Sequence, residues 1–164
     1  MARIRTATTE AADDSGEAPA AVGRLDLGPL HNFVGYLLRR AQLLVFDDFI
    51  RTMSSVGLRP ASFSVLAVIG ANPGSSQSAV SEVLGLQRTN LVAIIDSLEQ
   101  GGFARRKAAK TDRRSHALYL TAEGKRLLSK ALTLQAEHER RVLGRLSDDE
   151  TQFLLRILTK LVDG

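Results

Sequence analysis

The chain has no cysteine, which excludes disulfide frameworks, thiolate metal sites and thiol redox sensing together and fits a reducing compartment. Tryptophan is also absent, and aromatics make up only 5% of the 164 residues. That scarcity disfavours a β-sandwich and suits helices packed through Leu, Val, Ile and Ala. The longest apolar run, Phe63 to Ala71, is far shorter than the ~20 residues of a membrane span. Arg3 and Arg5 are followed by Glu10, Asp13, Asp14 and Glu17 with no apolar stretch, so the N-terminus does not read as a secretory signal. A soluble, cytoplasmic protein is expected.

Cationic charge is present and unevenly placed. Lys and Arg number 22 against 18 Asp and Glu, for a formal net charge of +4. Between Ala104 and His116 stand Arg105, Arg106, Lys107, Lys110, Arg113 and Arg114, with Asp112 as the only acid. The rest of the chain is close to neutral.

Periodicity and punctuation divide the chain. Residues 1–23 are rich in Ala, Thr and acids and lack a period, which predicts a flexible arm. From Leu30 to Phe49 the apolar positions follow one helical face behind Pro29, predicting a long helix that ends near Gly57, within an N-terminal segment, 24–57. Phe63, Leu66, Ala67 and Ile69 read as a second helix stopped by Asn72-Pro73-Gly74. A third helix is expected over Ser78–Leu84 and a fourth from Leu86 to Gly101, joined at Gly85. That is the outline of a helix-turn-helix. Phe103–Lys110 and Ser115–Leu120 then flank Thr111–Arg114 as a hairpin. The last segment, 121–164, is helical: one helix starts at Thr121 and runs to Leu146, and Ser147-Asp-Asp-Glu150 matches a capping box opening another. The expected fold is mostly α, a winged helix-turn-helix over 58–120 between N- and C-terminal helices.

Such an order assigns chemistry to residues. A helix in a major groove needs hydrogen-bonding side chains at its start and small ones where it nears the base edges. Gln87, Arg88, Thr89 and Asn90 supply the first and Ala93 the second. The hairpin is the wing, with Arg113 and Arg114 at its tip for a minor groove and Lys107 and Lys110 over phosphates. Asp112 is read either as a turn former accepting from turn amides or as orienting a neighbouring guanidinium.

At these residues the chain resembles the MarR family of bacterial transcriptional regulators. "DRRSHALYLTAEG" is similar to that family's wing signature, "VSEVLGLQRTNLVAIIDSLEQGGFARR" to its helix-turn-helix and first wing strand, and "VGLRPASFSVLAVI" to its second helix. The resemblance implies a homodimer built from the terminal helices and a pseudo-palindromic operator on double-stranded DNA. It also implies action as a repressor and an effector pocket between the DNA-binding lobe and the dimerisation helices. Peroxide sensing through cysteine is excluded, and His31, His116 and His138 are too scattered for metal sensing. No metal or cofactor is expected. His138, in a charged stretch, reads as solvated.

For the pocket, Tyr36, Arg39, Arg40 and Phe46 come from the first helix, Phe63 from the second and His31 from the approach to the first. Aromatic walls with one or two cations suit an aromatic carboxylate or an aromatic acyl-CoA. Phe33, Phe46, Phe49 and Phe63 read equally as ordinary core, the competing assignment for Phe46 and Phe63.

Equipment for catalysis is missing. His138-Glu139 opens an H-E-x-x-H spacing, but the second His position is Val142. No G-x-S-x-G occurs, and Gly70–Ser76 lacks the lysine of a phosphate-binding loop. Asp47 and Asp48 are neighbours on a helix and diverge by about 100°. The chain reads as a regulator, with a non-specific architectural DNA-binding protein as the alternative.

If Arg114 enters a groove, Arg114→Ala weakens binding to every operator and lowers the log–log salt slope by ~0.9. Anisotropy titrations across ionic strengths check this, and an unchanged slope removes the arginine from the interface.

Overall fold

The computed structural model describes residues 25–108 and 116–164, without the Asp163 side chain. The arm assigned to 1–23 and the hairpin tip lie outside them. The chain divides into two compact units with the boundary after Leu37. Among the described residues no single helix is long and apolar enough to cross a membrane.

Among the described residues, six α-helices and one pair of wing strands follow in the expected order. The first helix begins later than its apolar spacing suggests. Gly28–Asn32 form a 3-10 turn, Phe33 is extended at φ −94° and ψ 121°, and α1 runs Val34–Met53. Two of its residues, Phe49 and Met53, are buried, whereas Leu38, Leu43, Leu44, Phe46 and Ile50 are exposed. A short 3-10 turn leads to Gly57, whose φ of 66° is open to glycine without strain. Pro60 opens α2, Pro60–Ala71, at the position where its missing N–H is no loss.

The core lies between α2, the helix-turn-helix and the hairpin. Helix α3, Gln77–Val83, is capped by Ser76 Oγ accepting the Ala79 N–H at 3.2 Å. Helix α4, Arg88–Gln100, buries Leu91, Ile95 and Leu98. These pack with Val65, Leu66, Ile69, Val80 and Leu118, each such side chain contributing roughly 1.5–3 kcal/mol of transfer free energy. Strands β1, Ala104–Ala108, and β2, His116–Leu120, pair antiparallel with Arg106 opposite Leu118. On its other edge β2 bridges Ser76 through Ala117, and Leu118 exchanges bonds with Gly74 and Ser75. The wing is thereby stitched to the loop that opens α3.

Helix α5, Ala122–Val142, starts where expected and ends sooner than Leu146. Its entry explains the Leu-Thr-x-x-Gly run. Thr121 Oγ1 donates to the Gly102 carbonyl at 2.6 Å and accepts the Gly124 N–H at 3.0 Å, while the Thr121 N–H donates to the Phe103 carbonyl. Gly124 sits so close to that carbonyl that a Cβ would overlap it. Helix α6, Asp148–Asp163, begins with a complete capping box: Glu150 Oε2 accepts the Ser147 N–H at 2.8 Å and Ser147 Oγ the Glu150 N–H at 3.3 Å. The backbone bond from Ser147 holds the Glu150 carboxyl below its ordinary range. Phe153, Leu155, Ile157, Leu161 and Val162 of α6 are exposed.

Gly124→Ala gains up to ~1 kcal/mol of helix propensity but forces the α5 entry off the Phe103 carbonyl, an overlap of the kind that costs ~1–3 kcal/mol or more. A net loss of stability in urea denaturation is expected. Equal or greater stability would show that the close approach imposes no constraint.

Candidate nucleic-acid interface

The start of α4 is built as the sequence suggests. Gln87, Arg88, Thr89, Asn90 and Ala93 are all exposed, while the apolar residues of the same helix face inward. Gln87 occupies the capping position, and no side chain caps there. The first amides of α4 are consequently open to an outside acceptor, at the positive end of the helix dipole.

Arg88 is engaged already. Its Nη2 donates to Ser78 Oγ on α3 at 2.6 Å, so Ser78 joins this surface. Sequence reasoning passed over Ser78, because nothing local marks it as facing a residue ten positions on.

The wing strands divide the basic stretch by parity. Arg105 and Lys107 are exposed, and the Lys107 ammonium stands 5.3 Å from the Tyr119 ring centre. Tyr119 in turn backs Gly74, whose φ is 93°. Arg106, one more base of that run by sequence, turns inward instead. Its guanidinium pairs with Asp96 at 2.7 Å and with Glu99, and Glu99 Oε1 also accepts the Arg106 backbone N–H at 2.5 Å. Asp96 is half-buried in this clamp. Lys110, Asp112, Arg113 and Arg114 lie outside the described residues.

The effector set falls in both units. His31 and Tyr36 belong to the first, His31 exposed in the 3-10 turn and Tyr36 half-buried in the first turn of α1. In the second, Arg39, Arg40 and Phe46 are exposed. Phe63 meets Phe49 edge-on at 5.7 Å, and Phe49 meets the His138 ring at the same distance. Among the described residues no group of three or more His, Asp or Glu could hold a metal.

His138 is not solvated, contrary to its charged neighbourhood in sequence. It is 2% exposed, and its Nδ1 lies 2.8 Å from Asp48 Oδ2. Asp48 also accepts from Arg141 at 3.0 Å and from Arg51 at 3.0 Å, and Arg141 reaches Thr52. The His138 bond above all, then those from Arg141 and Arg51, holds the Asp48 carboxyl well below the usual carboxylate range, against the opposing effect of burial. An ionised carboxylate only accepts, so His138 Nδ1 carries the proton. One acid of α1 thus gathers two residues of α5.

With the geometry in place, similarity is informative. The MarR family model matches residues 56–115. A protein assigned to transcriptional control of the hcr operon in Thauera aromatica is 33% identical over 135 residues, covering 82% of this chain and 81% of that protein. The chain belongs to the MarR family. The regulator PecS of Dickeya dadantii is 31% identical over 140 residues, spanning 84% of this chain and 83% of PecS. Among solved structures, the repressor CouR bound to a 23-mer DNA duplex is 42% identical with a TM-score of 0.82, covering 85% of this chain and 99% of CouR. CouR bound to p-coumaroyl-CoA is 40% identical with a TM-score of 0.77, covering 84% and 97%. MarR-family chains are transcription regulators with a DNA-binding winged helix, and the hairpin and α4 are the wing and recognition helix of this one.

Because the folded-state pKa of Asp48 is lowered, its stabilisation is fully present above its ordinary value of 3.8 and is lost as pH falls below it. Asp48→Asn removes that proton linkage. Its unfolding free energy should fall less steeply with acid than that of the wild type in urea titrations from about pH 6 to 2. Equal slopes would dissociate Asp48 from acid sensitivity.

Proposed function

We propose that this MarR-family chain is a dimeric repressor of a pseudo-palindromic operator, released by an aromatic acyl-CoA or the matching aromatic carboxylate. The supporting observation is the row of exposed polar side chains opening α4, set beside a wing strand clamped by Arg106. Residues Gln87, Arg88, Thr89, Asn90 and Ala93 read the major groove, Lys107 and Lys110 meet phosphates, and Arg113 and Arg114, directed by Asp112, enter the minor groove. The likeness to CouR, whose structures hold a DNA duplex in one case and p-coumaroyl-CoA in another, supports both halves of the assignment.

Dimerisation is supported by the apolar side chains that α1 and α6 leave exposed, Leu43, Phe46, Ile50, Phe153, Ile157 and Leu161 among them. Apolar surface on this scale marks an association face. Two recognition helices related by a two-fold axis then require half-sites one helical turn apart. Within the larger unit the effector is assigned to Arg39, Arg40, Phe46 and Phe63. It acts by favouring a dimer whose recognition helices no longer match adjacent grooves. Reversing occupancy from 99:1 to 1:99 takes about 5.5 kcal/mol of differential affinity.

Footprinting on the chain's own promoter should protect two half-sites ~10 bp apart, centre to centre. p-Coumaroyl-CoA or a phenolic acid should release the complex, and Asn90→Ala should flatten base preference in a half-site library. Equal affinity for promoter and scrambled duplex at physiological salt would replace this function by the architectural alternative.

A further inference from the structure

We propose that the arginine-lined groove between α1 and the end of α5 is an anion subsite for the phosphates of a coenzyme A thioester, a role that rests on the effector class assigned above. The groove encloses about 270 Å³ and is lined by Leu44, Asp48, Arg51, Arg141, Val142 and Arg145. Three guanidinium groups share it with one carboxylate. That carboxylate is committed: it accepts from His138, Arg141 and Arg51. Asp48 therefore holds two of the arginines in place from its half-buried position, and two positive charges remain uncompensated. Arg145 is exposed and makes no hydrogen bond or ion pair among the described residues.

Planar guanidinium forks held in fixed directions match phosphate oxygens in paired hydrogen bonds, which a flexible ammonium does not. Leu44 and Val142 add an apolar surface on which a base or ribose can rest. The volume falls below the roughly 300–1,000 Å³ of a complete small-molecule pocket, so the groove takes the phosphorylated end of a larger ligand and leaves the acyl group elsewhere. Arg40, the cation nearest to it in the effector set read from sequence, lies roughly 17 Å back along the helix axis from Arg51. The groove is thus a separate set of cations from Arg39 and Arg40.

Calorimetric titration of the full chain tests the subsite, using adenosine 3′,5′-bisphosphate, p-coumaric acid and p-coumaroyl-CoA. The proteins are the wild type, R51A/R145A and R39A/R40A. Arg51 is 76% exposed, and a surface pair such as Arg51–Asp48 contributes little to stability, so R51A/R145A should melt as the wild type does. The bisphosphate should bind the wild type and lose about tenfold or more in R51A/R145A, as should the thioester, with no change for the free acid. Equal bisphosphate affinity in the wild type and R51A/R145A, or a loss confined to R39A/R40A, overturns the subsite. The two assignments fail separately. A wild type that ignores the thioester yet binds the bisphosphate through Arg51 and Arg145 loses the effector class and keeps the groove. Release by the thioester that is identical in R51A/R145A keeps the effector and loses the groove.

Discussion

A single guanidinium sets the geometry on which DNA binding depends. Arg106 leaves β1 and is gripped by Asp96 and Glu99, one turn apart on α4, and Glu99 takes the Arg106 backbone N–H as well. Without the cation the two carboxylates would repel each other, and without the carboxylates a partly buried guanidinium would lack partners, so the three groups are stable only together. The recognition helix and the wing strand therefore cannot turn independently. What each presents to a duplex, polar side chains from one and cations from the other, is held at a fixed separation.

The same stretch shows what sequence could and could not reveal. Element identity was legible because caps and apolar spacing are local: Thr121 and Ser147 start α5 and α6 through bonds within three residues. The start of α1 was not, because a 3-10 turn and an α-helix space their apolar residues so similarly that the break at Phe33 leaves the pattern intact. Arg106 read as one more base in a run. Strand parity held the missing signal, since Arg106 shares a face with the buried Ala104 rather than with Arg105 and Lys107.

His138 lay beyond any local rule. Its neighbours are charged, and its partner Asp48 is ninety residues away. Only the packing of α1 against α5 joins an unremarkable acid to an imidazole that it buries, backed by the Phe49 ring. By contrast, the polar residues opening α4 were legible in full, because an exposed face on a helix with a buried opposite side follows from period alone.

Helix α5 joins these two halves. Its first turn hangs from the carbonyls of Gly102 and Phe103 at the root of the hairpin, and its last turns are pinned to α1 through His138 and Arg141. Seventeen residues of unbroken helix between Thr121 and His138 make a lever roughly 25 Å long. A swing of ~10° about the pinned end carries the hairpin root through ~4 Å, so a small tilt far from the duplex becomes a displacement large enough to lift a side chain out of a groove.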